Sequence, residues 1–211
     1  MFKMTRIYLK NNNQLHLISV SILSLCTLHV VLHLFLVHVF TVSYAEIISS
    51  PMDKVAVYNN FKGVTFYDLS CYFEDPLQRN FLIEKALNIL RPKQLNAVAA
   101  IDSRGYIYGG ILADRLEIPL ILIRKGGKLP SHVVHSEKCK TEYSDSVLEV
   151  RKASVCQDMR VVIFDDVYAS GGSMNAAERL LTQCNATVAC KMVILNISEN
   201  DSVESLIQFK G

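Results

Sequence analysis

From residue 75 onward, short apolar runs alternate with stretches whose apolar residues recur at helical spacing. Phe81, Leu82, Leu87 and Leu90 give 75–90 an apolar helical face. Asp75 and Pro76 supply a cap and a first-turn proline, and Pro92 marks the end. The run AVAAI over 97–101 reads as a buried strand, and a helix follows from about 108 to 116. IPLILI over 118–123 is a second strand, leading into a basic, glycine-bearing stretch over 124–130. Residues 131–145 are polar without a clear period and read as irregular, whereas V-L-E-V over 147–150 alternates as a strand should. The four apolar residues 161–164 read as a buried parallel strand. Ala176, Ala177, Leu180 and Leu181 then recur at helical spacing, and 188–195 is a last strand. Strand alternating with helix predicts an α/β fold: an open, mostly parallel sheet with helices on both faces.

The amino-terminal segment breaks this pattern. Residues 15–45 are nearly all Leu, Val, Ser, Phe and Thr. Lys3, Arg6 and Lys10 precede the run, and the first acidic residue of the chain is Glu46. A basic flank, a long apolar run and the small-residue exit Val42-Ser43-Tyr44-Ala45 suit a signal peptide or a signal anchor, since a span needs about 20 apolar residues. A third reading stands beside these. Met52-Asp53-Lys54 is an ordinary cytosolic start, so 1–51 could be an upstream extension of the reading frame. The chain therefore divides into a basic, hydrophobic segment, 1–51, and a domain over 52–211.

Composition narrows the function classes. The net charge is +2 with 20% charged residues, so no clustered basic face marks a nucleic-acid binder. The six cysteines form no C-x-x-C pair and no metal-ligand spacing, which fits thiols of a reducing compartment and a cytoplasmic domain. Of the sequons at Asn185, Asn196 and Asn200, Asn196 follows the apolar run 192–195 and is awkwardly placed for a glycan.

The chemistry concentrates in 160–181, RVVIFDDVYASGGSMNAAERLL. Two carboxylates, Asp165 and Asp166, follow the apolar strand and are expected just outside its carboxyl end. A small-residue turn comes next, Ala169, Ser170, Gly171, Gly172 and Ser173, and opens a helix. Backbone N–H groups at a helix start attract phosphate, glycine permits close approach, and Ser170 and Ser173 add hydroxyl donors. Paired acids beside such a cradle can accept hydrogen bonds from a ribose diol. Neither G-x-x-x-x-G-K-[ST] nor G-x-G-x-x-G occurs, which excludes a P-loop and a dinucleotide fingerprint. An ordinary strand-to-helix turn would have no use for two adjacent like charges.

Four further groups carry chemistry. Asp102, Ser103, Arg104 and Gly105 follow the first core strand; they suit a diphosphate, since the guanidinium forks onto phosphate oxygens, but could equally cap the next helix. Arg124, Lys125 and Lys128 lie at the end of the second strand, where ligands of open α/β sheets collect, although a charge run is often a solvated turn. Glu142 and Tyr143 lie in the polar stretch, and Thr65, Phe66 and Tyr67 lie in the segment NFKGVTFYDL over 60–69.

Taken together these segments resemble the type I phosphoribosyltransferases, and in particular their adenine-specific branch. The 160–181 stretch looks like the signature for phosphoribosyl diphosphate (PRPP), with Ser170 and Ser173 where Thr is usual. IDSRGY over 101–106 resembles the branch's D-S-R-G-F loop, RKGGKLP over 124–130 its R-K-x-G-K-L-P segment, and TEYS over 141–144 its L-E-Y-G. The resemblance implies that Asp165 and Asp166 grip the ribose, that 169–173 hold the 5-phosphate, and that Asp102, Ser103, Arg104, Arg124, Lys125 and Lys128 meet the diphosphate. It gives Glu142 the role of catalytic acid with Arg104 beside the reacting atoms, places Tyr143 on the closing loop, and makes Thr65, Phe66 and Tyr67 part of a small hood over the base. The hood departs most from the pattern: Tyr67 replaces Arg, both prolines are missing, and Asn200 stands where an apolar residue is usual. The implied reaction is adenine plus PRPP giving AMP plus diphosphate. Mg2+ would be carried by the substrate with no direct protein ligand, the enzyme would be a homodimer, and a membrane would matter only if 15–45 anchors the chain. Two alternatives remain open at this stage: a transferase for another purine base, or a non-catalytic PRPP-binding relative.

Overall fold

The computed structural model describes residues 7–11, 14–18, 30–34, 55–61, 63–140, 145–198 and 200–208. The chain falls into two compact units, Met1–Ser50 and Pro51–Gly211. In the first, strands β1 (Ile7–Asn11) and β2 (Gln14–Ile18) pair antiparallel, and 30–34 form a short helical run. Most of the apolar run expected over 15–45 lies outside the described residues. Among the described residues no helix is long and apolar enough to cross a membrane.

The second unit opens with an antiparallel hairpin of β3 (Ala56–Phe61) and β4 (Val64–Asp68). Helix α1 (Ser70–Glu74) follows at once, started by Asp68, whose Oδ1 accepts from the Ser70 N–H at 2.9 Å and the Ser70 hydroxyl at 2.6 Å. Helix α2 (Pro76–Leu90) begins as expected: Asp75 Oδ1 accepts from the Leu77 amide at 2.8 Å, with Pro76 at the first helical position. Then come β5 (Ala97–Ile101), α3 (Gly105–Leu116), β6 (Leu120–Lys125), β7 (Val134–Lys140), β8 (Asp145–Arg151), β9 (Arg160–Tyr168), α4 (Gly172–Gln183), β10 (Thr187–Asn196) and β11 (Glu204–Gln208).

One seven-stranded sheet runs in the order β11-β10-β9-β5-β6-β8-β7. Strands β11, β10, β9, β5 and β6 are parallel, and β8 and β7 extend the sheet antiparallel from β6. Side chains of β9 alternate between the two faces. Val162 and Phe164 pack under α2 and α3 with Leu82, Leu87, Tyr108 and Leu112, whereas Val161 and Ile163 pack under α4 with Ala177, Leu180 and Leu181. Each fully buried side chain of this kind stabilises the fold by about 1.5–3 kcal/mol. The alanines of β5 let α3 lie close on the sheet: a Cβ at Gly109 would stand 2.5 Å from that of Ala100.

Four expectations need correction. Residues 131–145 are not irregular throughout, because 134–140 form β7 and pair with β8 over seven residue pairs. V-H-S-E-K-C-K is polar because β7 is an edge strand, where charged side chains guard the open ladder. The acid pair does not lie outside its strand. β10 keeps pairing with β9 through Val193↔Asp165 and Leu195↔Val167, so the ladder carries both acids and ends at Tyr168. Helix α3 starts at Gly105, three residues earlier than its apolar pattern, and β11 closes the far edge, where no strand was expected.

Candidate functional site

The chain leaves β5 toward β6 on one side and returns to β9 on the other. Loops after β5 and β9 therefore diverge, and a crevice opens at their carboxyl ends, the usual ligand position in open α/β sheets. Asp102–Arg104 lead out of β5, the acid pair lies near the carboxyl end of β9, and 169–173 follow that strand. The 124–130 stretch leaves β6, adjacent to β5 in the sheet.

Arg104 links these parts. Its Nε lies 2.6 Å from Asp166 Oδ2, and its guanidinium stands 5.7 Å from the centre of the Phe66 ring. The contact is a close ion pair, and it buries this oxygen: Asp166 is only 7% exposed. Asp165 Oδ1 accepts from the Asp166 amide at 2.9 Å. Asp165 keeps part of its surface open, yet burial first, and the Asp166 charge second, hold its carboxyl well above the usual carboxylate range. Gly105 makes this crowding feasible: a Cβ there would come within 3.0 Å of the Phe164 carbonyl and 3.2 Å of Asp165 Oδ1.

The turn after β9 is shaped by Gly171, at φ +78°, which caps α4. Its Cβ would run into the ring and hydroxyl of Tyr168, so only glycine fits. The Tyr168 hydroxyl accepts from Asn200 Nδ2 at 3.0 Å, and the Tyr168 carbonyl accepts from the Ile197 amide at 3.0 Å. Asn200, an oddity in the sequence, thus ties the loop after β10 to the underside of this turn. Ser170 is exposed, Ala169, Gly172 and Ser173 are half-buried, and the Cys139 thiol donates to Ser173 Oγ at 3.8 Å. Asn196, buried to 1% exposure, donates to the Asn200 carbonyl at 2.9 Å and is closed to a glycan.

On the other side Asp102 gathers the basic stretch. Asp102 Oδ2 accepts from Lys128 Nζ at 3.1 Å and from the Lys125 amide at 3.3 Å. Burial acts to raise its carboxyl, but the Lys128 and Lys125 hydrogen bonds outweigh it and leave it below the usual value. The Tyr106 hydroxyl donates to the Ile123 carbonyl at 2.9 Å, and burial above all pushes it up to about 12. Arg124 is half-buried beside it.

The structure therefore brings together Asp165, Asp166, Arg104, Asp102, Lys125, Lys128 and Phe66 around the crevice. Ser103 is exposed in the β5–α3 loop, Thr65 is exposed on β4, and Tyr67, half-buried, packs against the core. Glu142 and Tyr143 lie outside the described residues, between β7 and β8. Sequence reasoning missed Tyr168 and Glu149. Tyr168 left no signal before its contact with Gly171 was seen. Glu149 left one, an acid between apolar residues in the strand that pairs beside three cations, but only the register exposes it.

Among the described residues no three His, Cys, Asp or Glu side chains converge as a protein cage for a metal. The hard oxygens available are those of the acid pair, which suit a partly hydrated magnesium ion shared with a ligand's own oxygens.

A family model, the phosphoribosyl transferase domain, matches residues 80–206. A protein of Pseudomonas putida (strain GB-1) named adenine phosphoribosyltransferase is 36% identical over 144 residues, 68% of this chain and 79% of that protein. One of the same name from Treponema denticola is 38% identical over 127 residues, 60% of this chain and 66% of its own length. Among solved structures, the Giardia lamblia enzyme complexed with 9-deazaadenine superposes with a TM-score of 0.70 at 25% identity, covering 78% of this chain and all of that one.

Proposed function

The chain belongs to the phosphoribosyltransferase family, and from that premise we propose that it is an adenine phosphoribosyltransferase, joining adenine to PRPP to give AMP and diphosphate in purine salvage. The observation that carries the reading is the buried acid pair on β9, Asp166 ion-paired with Arg104, between a glycine-shaped anion turn and a lysine-rich one. A ligand with vicinal hydroxyls flanked by two phosphate groups would use all three at once.

Asp165 and Asp166 accept from the ribose diol. Ala169, Ser170, Gly171, Gly172 and Ser173 surround the 5-phosphate at the start of α4. Asp102, Ser103, Arg104, Arg124, Lys125 and Lys128 receive the diphosphate, and Phe66, Thr65 and Tyr67 cover the base. The C1–oxygen bond breaks with its electron pair leaving on diphosphate, N9 of adenine bonds to C1, and Glu142 takes the purine proton as the loop carrying Tyr143 closes. Rate comes from holding both partners in line and from preset positive charge where the leaving group's charge grows. Magnesium, bound with PRPP, supplies further neutralisation of the phosphate oxygens.

The working unit is a homodimer in the cytoplasm. Leu120 and Leu122 on β6, Val147 on β8 and Ile107 on α3 are exposed apolar side chains. Gly110, one helical turn from Ile107, lies against Leu120, so these elements share one face that suits a second copy. The five cysteines among the described residues are free thiols, which suits a reducing compartment.

The test is diphosphate release from PRPP with adenine, guanine, hypoxanthine or no base. Adenine should give the highest kcat/KM. Equal release with and without base would mean that the ribosyl group goes to water, and no release with any purine would mean that the chain does not catalyse transfer.

A further inference from the structure

We infer that Glu149 is a positioning residue that holds the turn after β6 in its anion-receiving shape. This rests on the reading that Lys125 and Lys128 meet diphosphate. Glu149 lies on β8, is only 4% exposed, and has no role in the acid pair or the phosphate loop. Its two carboxylate oxygens accept from successive backbone amides of the turn: Oε2 from Gly127 at 3.0 Å and Oε1 from Lys128 at 2.8 Å. The preceding amide, Gly126, donates to the Val147 carbonyl at 2.7 Å. Three consecutive N–H groups are therefore fixed to β8 before any ligand arrives.

This has a chemical consequence. The amides of Gly127 and Lys128 already have acceptors, so the turn presents an anion with side chains and not with a backbone cradle. The glycines give the turn its shape: Gly127 sits at φ +81°, and a Cβ at Gly126 would approach the Val147 Cβ at 3.0 Å. With the Lys128 backbone clamped at Glu149, its ammonium reaches Asp102 on the neighbouring β5 loop at 3.1 Å. The clamp thus sets where Lys128 stands relative to Arg104. Arg124 stands opposite Glu149 in the β6–β8 register. A buried carboxyl group needs hydrogen bonds, and the two backbone amides supply them here.

The test is Glu149→Gln, which keeps size and one acceptor but turns an amide N–H toward a backbone N–H. We expect the KM for PRPP and the Kd for diphosphate to rise about tenfold or more, as for loss of a hydrogen bond to a charged group. The adenine KM should stay within about twofold. A purely structural role would lower activity without that split between substrates. Lys128→Ala serves as the companion. If it weakens diphosphate binding while folded Glu149→Gln binds normally, the positioning role is wrong. If Lys128→Ala binds normally, the diphosphate assignment of the turn is wrong, and the inference falls with it. Amide exchange on the unaltered protein needs no variant: Gly127 and Lys128 should be protected before PRPP is added. Protection that arises only with PRPP would overturn the clamp.

Discussion

The ribose-phosphate end and the base end of the site are built by different means. The first grows out of the sheet. Asp165 and Asp166 sit inside the β9 ladder, Gly105 and Gly171 are held by contacts that no other residue would fit, and Tyr168 props the phosphate turn from below. The second hangs on a two-stranded hairpin whose Val57 and Tyr58 are 43% and 54% exposed. The hairpin reaches the crevice through Phe66 against Arg104. A ligand group read by the core end meets positions set within the sheet, whereas the base meets a two-stranded hairpin with part of its surface exposed. That contrast matches where the sequence keeps its pattern and where it departs from it.

The sharpest break of the contrast is at the acid pair. Asp165→Asn combined with Asp166→Asn should remove measurable PRPP binding by calorimetry, a loss of about 10²–10⁴ for two charge-assisted contacts. The fold should survive, because Asn preserves shape in the ladder. Normal PRPP affinity in a folded double variant would take the ribose away from these residues. Next in size is Glu142→Ala, where single-turnover AMP formation should fall about 10²–10⁴ with PRPP affinity nearly kept, as for loss of a positioned acid-base group. A loss of only a few-fold would reduce Glu142 to an ordinary loop residue.

A third effect separates stability from function at one residue. The carboxyl of Asp165 is raised in the fold, by burial and then by Asp166, above its ordinary value of 3.8. The native state then holds more protons than the unfolded one between the ordinary and the raised value. Stability is fully present below the ordinary value and is lost as pH rises through that window. Asp165→Asn removes this loss, so the ligand-free variant should melt higher than the parent at neutral pH while binding PRPP less well. Melting curves across pH would check it. An unchanged or lower neutral Tm, with the same pH slope in both proteins, would mean that Asp165 is ionised in the fold without penalty.

How much of this could be read beforehand follows the same division. Strand β5 was legible to the residue, and α2 with its Asp75 cap was legible too, because periodicity and caps are local. The segments 101–106, 124–130 and 160–173 stand out in the sequence because glycine, paired acids and clustered cations have few other uses together; 141–144 lies outside the described residues. Strand β7 was not, since an edge strand need not alternate and gains its order from pairing with β8 and from packing on α4, where Glu137 takes hydrogen bonds from Arg179 and Gln183. Nor was the placement of the acids, because only the partner strand β10 decides how far β9 runs. Glu149 and Asn200 were misjudged for one reason: a polar side chain's role is set by backbone groups that arrive from distant sequence.

The smallest effect probes the hairpin. Phe66→Leu keeps apolar bulk but removes the ring that faces both the Arg104 guanidinium and, in the proposed complex, the base. Cation–π contact at a partly exposed site is worth about 0.5–1 kcal/mol, and ring stacking on a base about 1–3 kcal/mol. Adenine KM should therefore rise about fivefold or more, while PRPP affinity moves less than about threefold, because Arg104 keeps its ion pair with Asp166. Measuring both constants on one preparation makes the ratio the readout, independent of the active fraction. If PRPP affinity fell as far as adenine affinity, Phe66 would be holding Arg104 in place for the diphosphate, and the two ends of the site would be one coupled unit after all. If neither moved, the base would bind elsewhere than under this hairpin.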